Sequence, residues 1–90
     1  MKMVLNRDWG GFCLPQNFRK AYGLHHENSY DFDRTDPRLV KWVEDHADHK
    51  GKCGDLAVVE IPDICTDWEM DEYDGWESIT YVVDGKLYHA

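Results

Sequence analysis

Two Asp-Gly pairs ten residues apart, at 74–75 and 84–85, constrain this chain more than any other feature. They sit among the runs WEMDEYD (68–74), WESITYVV (76–83) and VVDGKLYH (82–89), which alternate polar with apolar residues or are rich in β-branched and aromatic ones. Asp-Gly suits the two-residue hairpin turn, which needs a positive φ at both central positions. The last third of the chain therefore reads as strands joined by tight turns.

Upstream, KMVLN (2–6) is a short apolar run that reads as a first strand. LAVVEIP (56–62) is a dense β-branched run, read as a central strand that Pro62 ends because proline cannot donate to a ladder. Between them lie two helical stretches. PQNFRKAYGL (15–24) has Pro15 for the first helical position, Phe18 and Tyr22 stacked at i,i+4, and Gly23 as a stop. DPRLVKWVEDHADHKG (36–51) is the clearer one, with Asp36 as N-cap, Pro37 at the first position and Gly51 as a stop. Leu39, Val43 and His46 or Ala47 share one face of it, with Val40 and Trp42 at the margins. WGGF (9–12) reads as a turn, and HHENSYDFDRT (25–35) is polar and aperiodic, hence a loop. The β-α-α-β-β-β order predicts a small α+β fold. It is one domain over residues 1–90, an antiparallel or mixed sheet of about four to five strands packed with two helices.

No run approaches the roughly 20 apolar residues of a membrane helix, and the start, MKMVLNRDWGG, lacks a signal-peptide apolar region. Membrane association is therefore not expected, and the expected setting is the cytoplasm. The three cysteines, Cys13, Cys53 and Cys65, are an odd number and read as reduced thiols in that setting.

The net charge of −8 is unevenly placed. Residues 1–59 carry nine basic and nine acidic side chains, whereas 60–90 carry nine acids and one lysine, Lys86. Direct nucleic-acid binding is thus not expected, because affinity for phosphates comes from basic surfaces. A focused negative field favours a basic partner instead. Glu69, Asp71, Glu72, Asp74 and Glu77 are the candidate partner-binding residues. A solvated face that only keeps a small protein soluble is the competing explanation.

Catalytic signatures are lacking. The carboxylate pairs Glu69/Asp71 and Glu72/Asp74 fall on the wet side of an alternating strand. Asp67, Glu69 and Asp71 have the odd-position spacing of a calcium loop, but Glu72 stands where that loop requires glycine. Cys13 or Cys53 with a histidine lacks any local cysteine-hydrolase pattern. The chain is therefore not expected to be an enzyme.

A metal is the stronger chemical expectation. His46, His49 and Cys53 form an H-x2-H-x3-C cluster at the end of the second helix, where the two histidines are i,i+3 neighbours. Zinc takes four such nitrogen and sulfur ligands tetrahedrally. Cys13 is the preferred fourth ligand of a structural Zn2+ site, with Cys65, His25 and His26 as competitors. Against this stands a core-edge His46, a solvated His49 and a buried Cys53.

GGF after the first strand, RTDPRLV opening the main helix, LAVVEIPD and EYDGWE occur here in that order. Together they resemble a family of small uncharacterised proteins common in bacteriophages and prophages, over roughly residues 3 to 77. The resemblance implies a small α+β domain working in the cytoplasm of a bacterial host; it supplies no activity. Members usually read GGFGLS where this chain has GGFCLP, so Cys13 replaces a glycine. His46 and His49 likewise stand in a segment usually rich in leucine and glutamate. VVDGKLYHA also lacks the basic, aromatic ending of the family. A phage protein of this size without a catalytic signature is expected to work by binding. The leading expectation is an inhibitor of a host defence nuclease, anti-CRISPR-like, facing an RNA-guided enzyme with a basic surface. The alternative is an accessory interaction module of phage metabolism or assembly, and a metal-dependent enzyme ranks third.

Overall fold

Both Asp-Gly turns form. In the computed structural model, which describes residues 1–9, 12–24, 32–46 and 55–90, Asp74 and Gly75 have φ of 49° and 93°, and Asp84 and Gly85 have 51° and 75°. These values match the left-handed backbone that a tight hairpin needs. The turns connect β3 (Asp67–Tyr73), β4 (Trp76–Val83) and β5 (Lys86–His89) into an antiparallel meander. Its register pairs Tyr73 with Trp76, Met70 with Ile79 and Tyr81 with Tyr88.

The remaining elements are β1 (Lys2–Asn6), α1 (Gln16–Tyr22), α2 (Pro37–Asp45) and β2 (Leu56–Glu60), in the expected order. The fold is α+β, but its strands form two antiparallel sheets rather than one. β1 and β2 make a separate ribbon, with Met3 opposite Val59 and Val4 opposite Val58. The reason lies in β1, whose Met3, Val4, Leu5 and Asn6 are all buried. Val4 packs with Phe12, Leu14, Phe18 and the apolar face of α2, whereas Met3 and Leu5 pack with Ile61 and Ile79. A ribbon apolar on both faces needs a layer on each side. The helices supply one and the meander stacks on the other, instead of extending the ribbon edgewise.

Each helix is punctuated by its own sequence. α1 starts one residue later than expected, with Pro15 in the cap position, and closes on Gly23 at φ 67°. Phe18 and Tyr22 meet with ring centroids 5.1 Å apart, as their spacing requires, but the rings are tilted by 46° and not stacked. α2 carries Pro37 in its first turn, and the Asp36 carboxylate accepts from the Arg38 backbone N–H at 2.8 Å. Leu39, Val40, Trp42 and Val43 are all buried, so the apolar face is wider than the stripe expected from spacing. His46 caps the helix; the segment from Ala47 to the expected stop at Gly51, the glycines of WGGF and residues 25–31 lie outside the described residues.

The Arg38 side chain hydrogen-bonds Asp36 and, with the backbone N–H groups, holds its carboxyl below the ordinary value of 3.8. A depressed folded-state value contributes stability that is present above the unfolded value and lost as pH falls through the folded one. Asp36→Ala is accordingly expected to lower stability by about 1 kcal/mol near neutral pH. In urea unfolding the gap between the two proteins should close on acidification, and a gap that stays constant to low pH would contradict the cap.

Candidate functional site

Successive side chains of a strand point to opposite faces. Met70 is opposite Ile79, which lies in the core, so Trp68, Met70 and Glu72 of β3 share the inward face. Asp67, Glu69, Asp71 and Tyr73 point outward, beside Val82, Thr80, Ser78 and Trp76 of β4, with Leu87 and His89 of β5 beyond. Among the described residues no helix or strand packs on this outer face. Its edge strand thus presents three exposed carboxylates in a row, and none of them is ion-paired among the described residues.

Hydrogen bonds give the row some order. Asp71 Oδ2 accepts from Thr80 Oγ1 at 2.8 Å, and Oγ1 lies 3.2 Å from His89 Nδ1. With its one proton committed to the carboxylate, the hydroxyl accepts from the imidazole. The Asp71 carboxylate, the Thr80 hydroxyl and the His89 imidazole thus form one hydrogen-bonded line across the three strands. The hollow at the other end of the face, about 110 Å³ between Glu69, Val82 and Leu87, is shallow.

The five candidate partner-binding acids therefore separate. Glu69 and Asp71 belong to the outer face. Glu72 faces inward, and its Oε1 accepts from the Gly75 backbone N–H across the hairpin turn that also contains Asp74. Glu77 is buried at 5% exposure, and its placement among exposed partner contacts is corrected. It lies on the inward face of β4, forked onto the Arg34 guanidinium: Nη1 donates to Oε1 and Nη2 to Oε2, the latter at 2.8 Å.

Arg34 is the residue that sequence reasoning missed. It sits in the loop before α2, with its guanidinium carbon 3.4 Å from the centroid of the Phe12 ring. Its backbone carbonyl accepts from the Val4 N–H at 2.8 Å. Asn6 completes the cluster: its N–H donates to Glu77 Oε1 at 2.8 Å, and Nδ2 donates to the carbonyls of Gly75 and Asp8. Ribbon, loop and meander are thus tied through one buried ion pair. The signals were RTDPRLV and EYDGWE, which hold Arg34 and Glu77, but nothing in either says that the two side chains meet.

Trp9, Tyr73 and Trp76 cluster at the turn end of the outer face. Trp9 lies 5.5 Å from Trp76 and 6.1 Å from Tyr73 between ring centroids, and all three rings are exposed.

Of the four expected zinc ligands, His49 and Cys53 lie outside the described residues, as do His25 and His26. His46 stacks on Trp42 at 4.1 Å, and its Nδ1 donates to the Trp42 carbonyl at 2.7 Å. Cys13 is disulfide-bonded while Cys65 is a free thiol, so the expectation of three reduced cysteines is corrected at Cys13. Among the described residues no group of three or more histidine, cysteine or acidic side chains converges.

Fold and surface together define a small α+β domain with an acidic sheet face that no described element covers. Comparison with protein-family models, curated proteins and solved structures returns no significant match. Among the described residues no helix is long and apolar enough to cross a membrane.

Proposed function

We propose that this protein acts by binding, and that the outer face of β3–β4–β5 docks on the basic surface of another protein. The observation that supports this is the row Asp67, Glu69 and Asp71, exposed on a sheet face that no described element covers. In a stable fold such a face tends to be charged merely for solubility, but here it adjoins three exposed aromatic rings. Aromatics in contiguous exposed patches are characteristic of interfaces. Taken with the resemblance to phage proteins, the reading is an inhibitor of a host defence nuclease, anti-CRISPR-like, working in the host cytoplasm. Nucleic-acid channels are basic, and a protein surface of opposite sign competes for them. The proposal does not depend on a metal.

The second reading is an accessory interaction module of phage metabolism or assembly, in which the acidic face is only solvated. Charge reversal separates the two. Glu69→Lys with Asp71→Lys leaves the buried pair and the turn untouched. It is expected to weaken binding and inhibition of an RNA-guided nuclease from the host by at least about tenfold, with an unchanged melting temperature. The wild-type affinity should also fall with added salt. Inhibition that survives the double reversal would sink the docking face, and failure to bind any such nuclease would favour the accessory module.

A further inference from the structure

The aromatic end of the outer face supports a narrower statement about the partner. Trp9 follows β1, while Tyr73 and Trp76 flank the first Asp-Gly turn, and their exposures are 60%, 72% and 38%. Their rings meet at interplanar angles of 43° and 79°, so they touch without stacking face to face. Much of their ring area stays in water. Carboxylates neighbour them along the chain: Asp8 precedes Trp9, Asp74 lies in the turn, and Asp71 is two residues from Tyr73 on the same face.

An apolar plug from a partner would cover the rings at the cost of drying these acids, which are costly to bury unpaired. A cation satisfies both kinds of neighbour. Aromatic faces attract cations through their quadrupole, and carboxylates attract them directly. Arginine fits better than lysine, because its planar guanidinium stacks on rings and offers a forked set of donors to carboxylates. The protein already uses this chemistry internally, with Arg34 lying over Phe12 while it forks onto Glu77. We infer that Trp9, Tyr73 and Trp76 receive an arginine side chain of the basic partner, with Asp71 and Asp74 facing its charge. The inference rests on the docking face proposed above and names the residue type that the face selects.

The test titrates the full chain, isotopically labelled, with oligoarginine and oligolysine peptides of equal length, and follows the indole N–H signals of Trp9 and Trp76 by NMR. Oligoarginine is expected to bind about two- to fivefold more tightly and to shift both indole signals. Trp9→Ala should erase that preference while both peptides still bind, and Trp9→Phe should keep it. Trp9 is exposed enough for either variant to fold, which the melting temperature checks. Equal affinities with unmoved indole signals overturn the arginine site and leave the acidic docking face standing. If neither peptide binds, both readings fall.

Discussion

Glu77→Ala is expected to destabilise the protein by about 3–5 kcal/mol, although it removes an acid from a chain of net charge −8. Self-repulsion alone predicts the opposite sign, since deleting one of many like charges relieves the compact state. The cost arises because Arg34 is left charged in a site where its side chain is only 11% exposed, with the Asn6 N–H also deprived of its acceptor. An uncompensated buried charge is far more expensive than the net worth of the pair. A 90-residue domain has roughly 5–13 kcal/mol in total, so this one substitution removes a large share. Glu69→Ala, on the exposed face, is the control and should stay within about 0.5 kcal/mol of wild type. Replacing Arg34 and Glu77 together by apolar residues should cost no more than Glu77→Ala alone, because no orphan charge remains. Urea unfolding of the four proteins measures all of this. A cost below about 1 kcal/mol for Glu77→Ala would show that the ion pair does not tie the layers together.

Phe18→Ala is the second large effect, with an expected loss of about 3–5 kcal/mol. Phe18 is fully buried on α1 and meets Tyr22, Phe32 and Trp42 at centroid distances of 5.1, 5.8 and 6.3 Å. Removing the ring forfeits those contacts and leaves a cavity that two helices and a loop would have to close. Its neighbours are themselves large rings, so collapse into the space is restricted. Phe18→Leu should recover part of the loss by restoring volume, typically to within a few kcal/mol. Thermal unfolding monitored by near-ultraviolet circular dichroism suits this site, since it reports on the aromatic cluster itself. An unchanged aromatic signal and melting temperature would mean that Phe18 is not the centre of this core.

The two variants probe different layers. Phe18 lies between the helices and the ribbon, whereas Glu77 lies where the ribbon meets the meander. Both test the finding that β1 is buried from two sides.

Much of the fold was legible because its signals are local. Asp74-Gly75 and Asp84-Gly85 specify tight turns through backbone conformation alone, and Asp36-Pro37 marks a helix start through one cap and one missing N–H. Phe18 and Tyr22 touch because helical spacing places them there. The alternation of β3 likewise separated Glu69 and Asp71 from Met70 without reference to any other strand. These features depend on neighbours within a few residues, so the chain states them directly.

What the tertiary structure alone decided depends on residues far apart. KMVLN reads as a strand, but nothing in five residues says that it must be covered on both faces and so split the strands into two sheets. Glu77 has the same charge and the same flanking pattern as its exposed neighbours. Only Arg34, 43 residues away, makes it a buried structural acid instead of a partner contact. Local sequence determined the elements and the sign of the outer face. Long-range burial decided which of those acids stay in water, because the free energy of a charge is set by the groups that surround it in space.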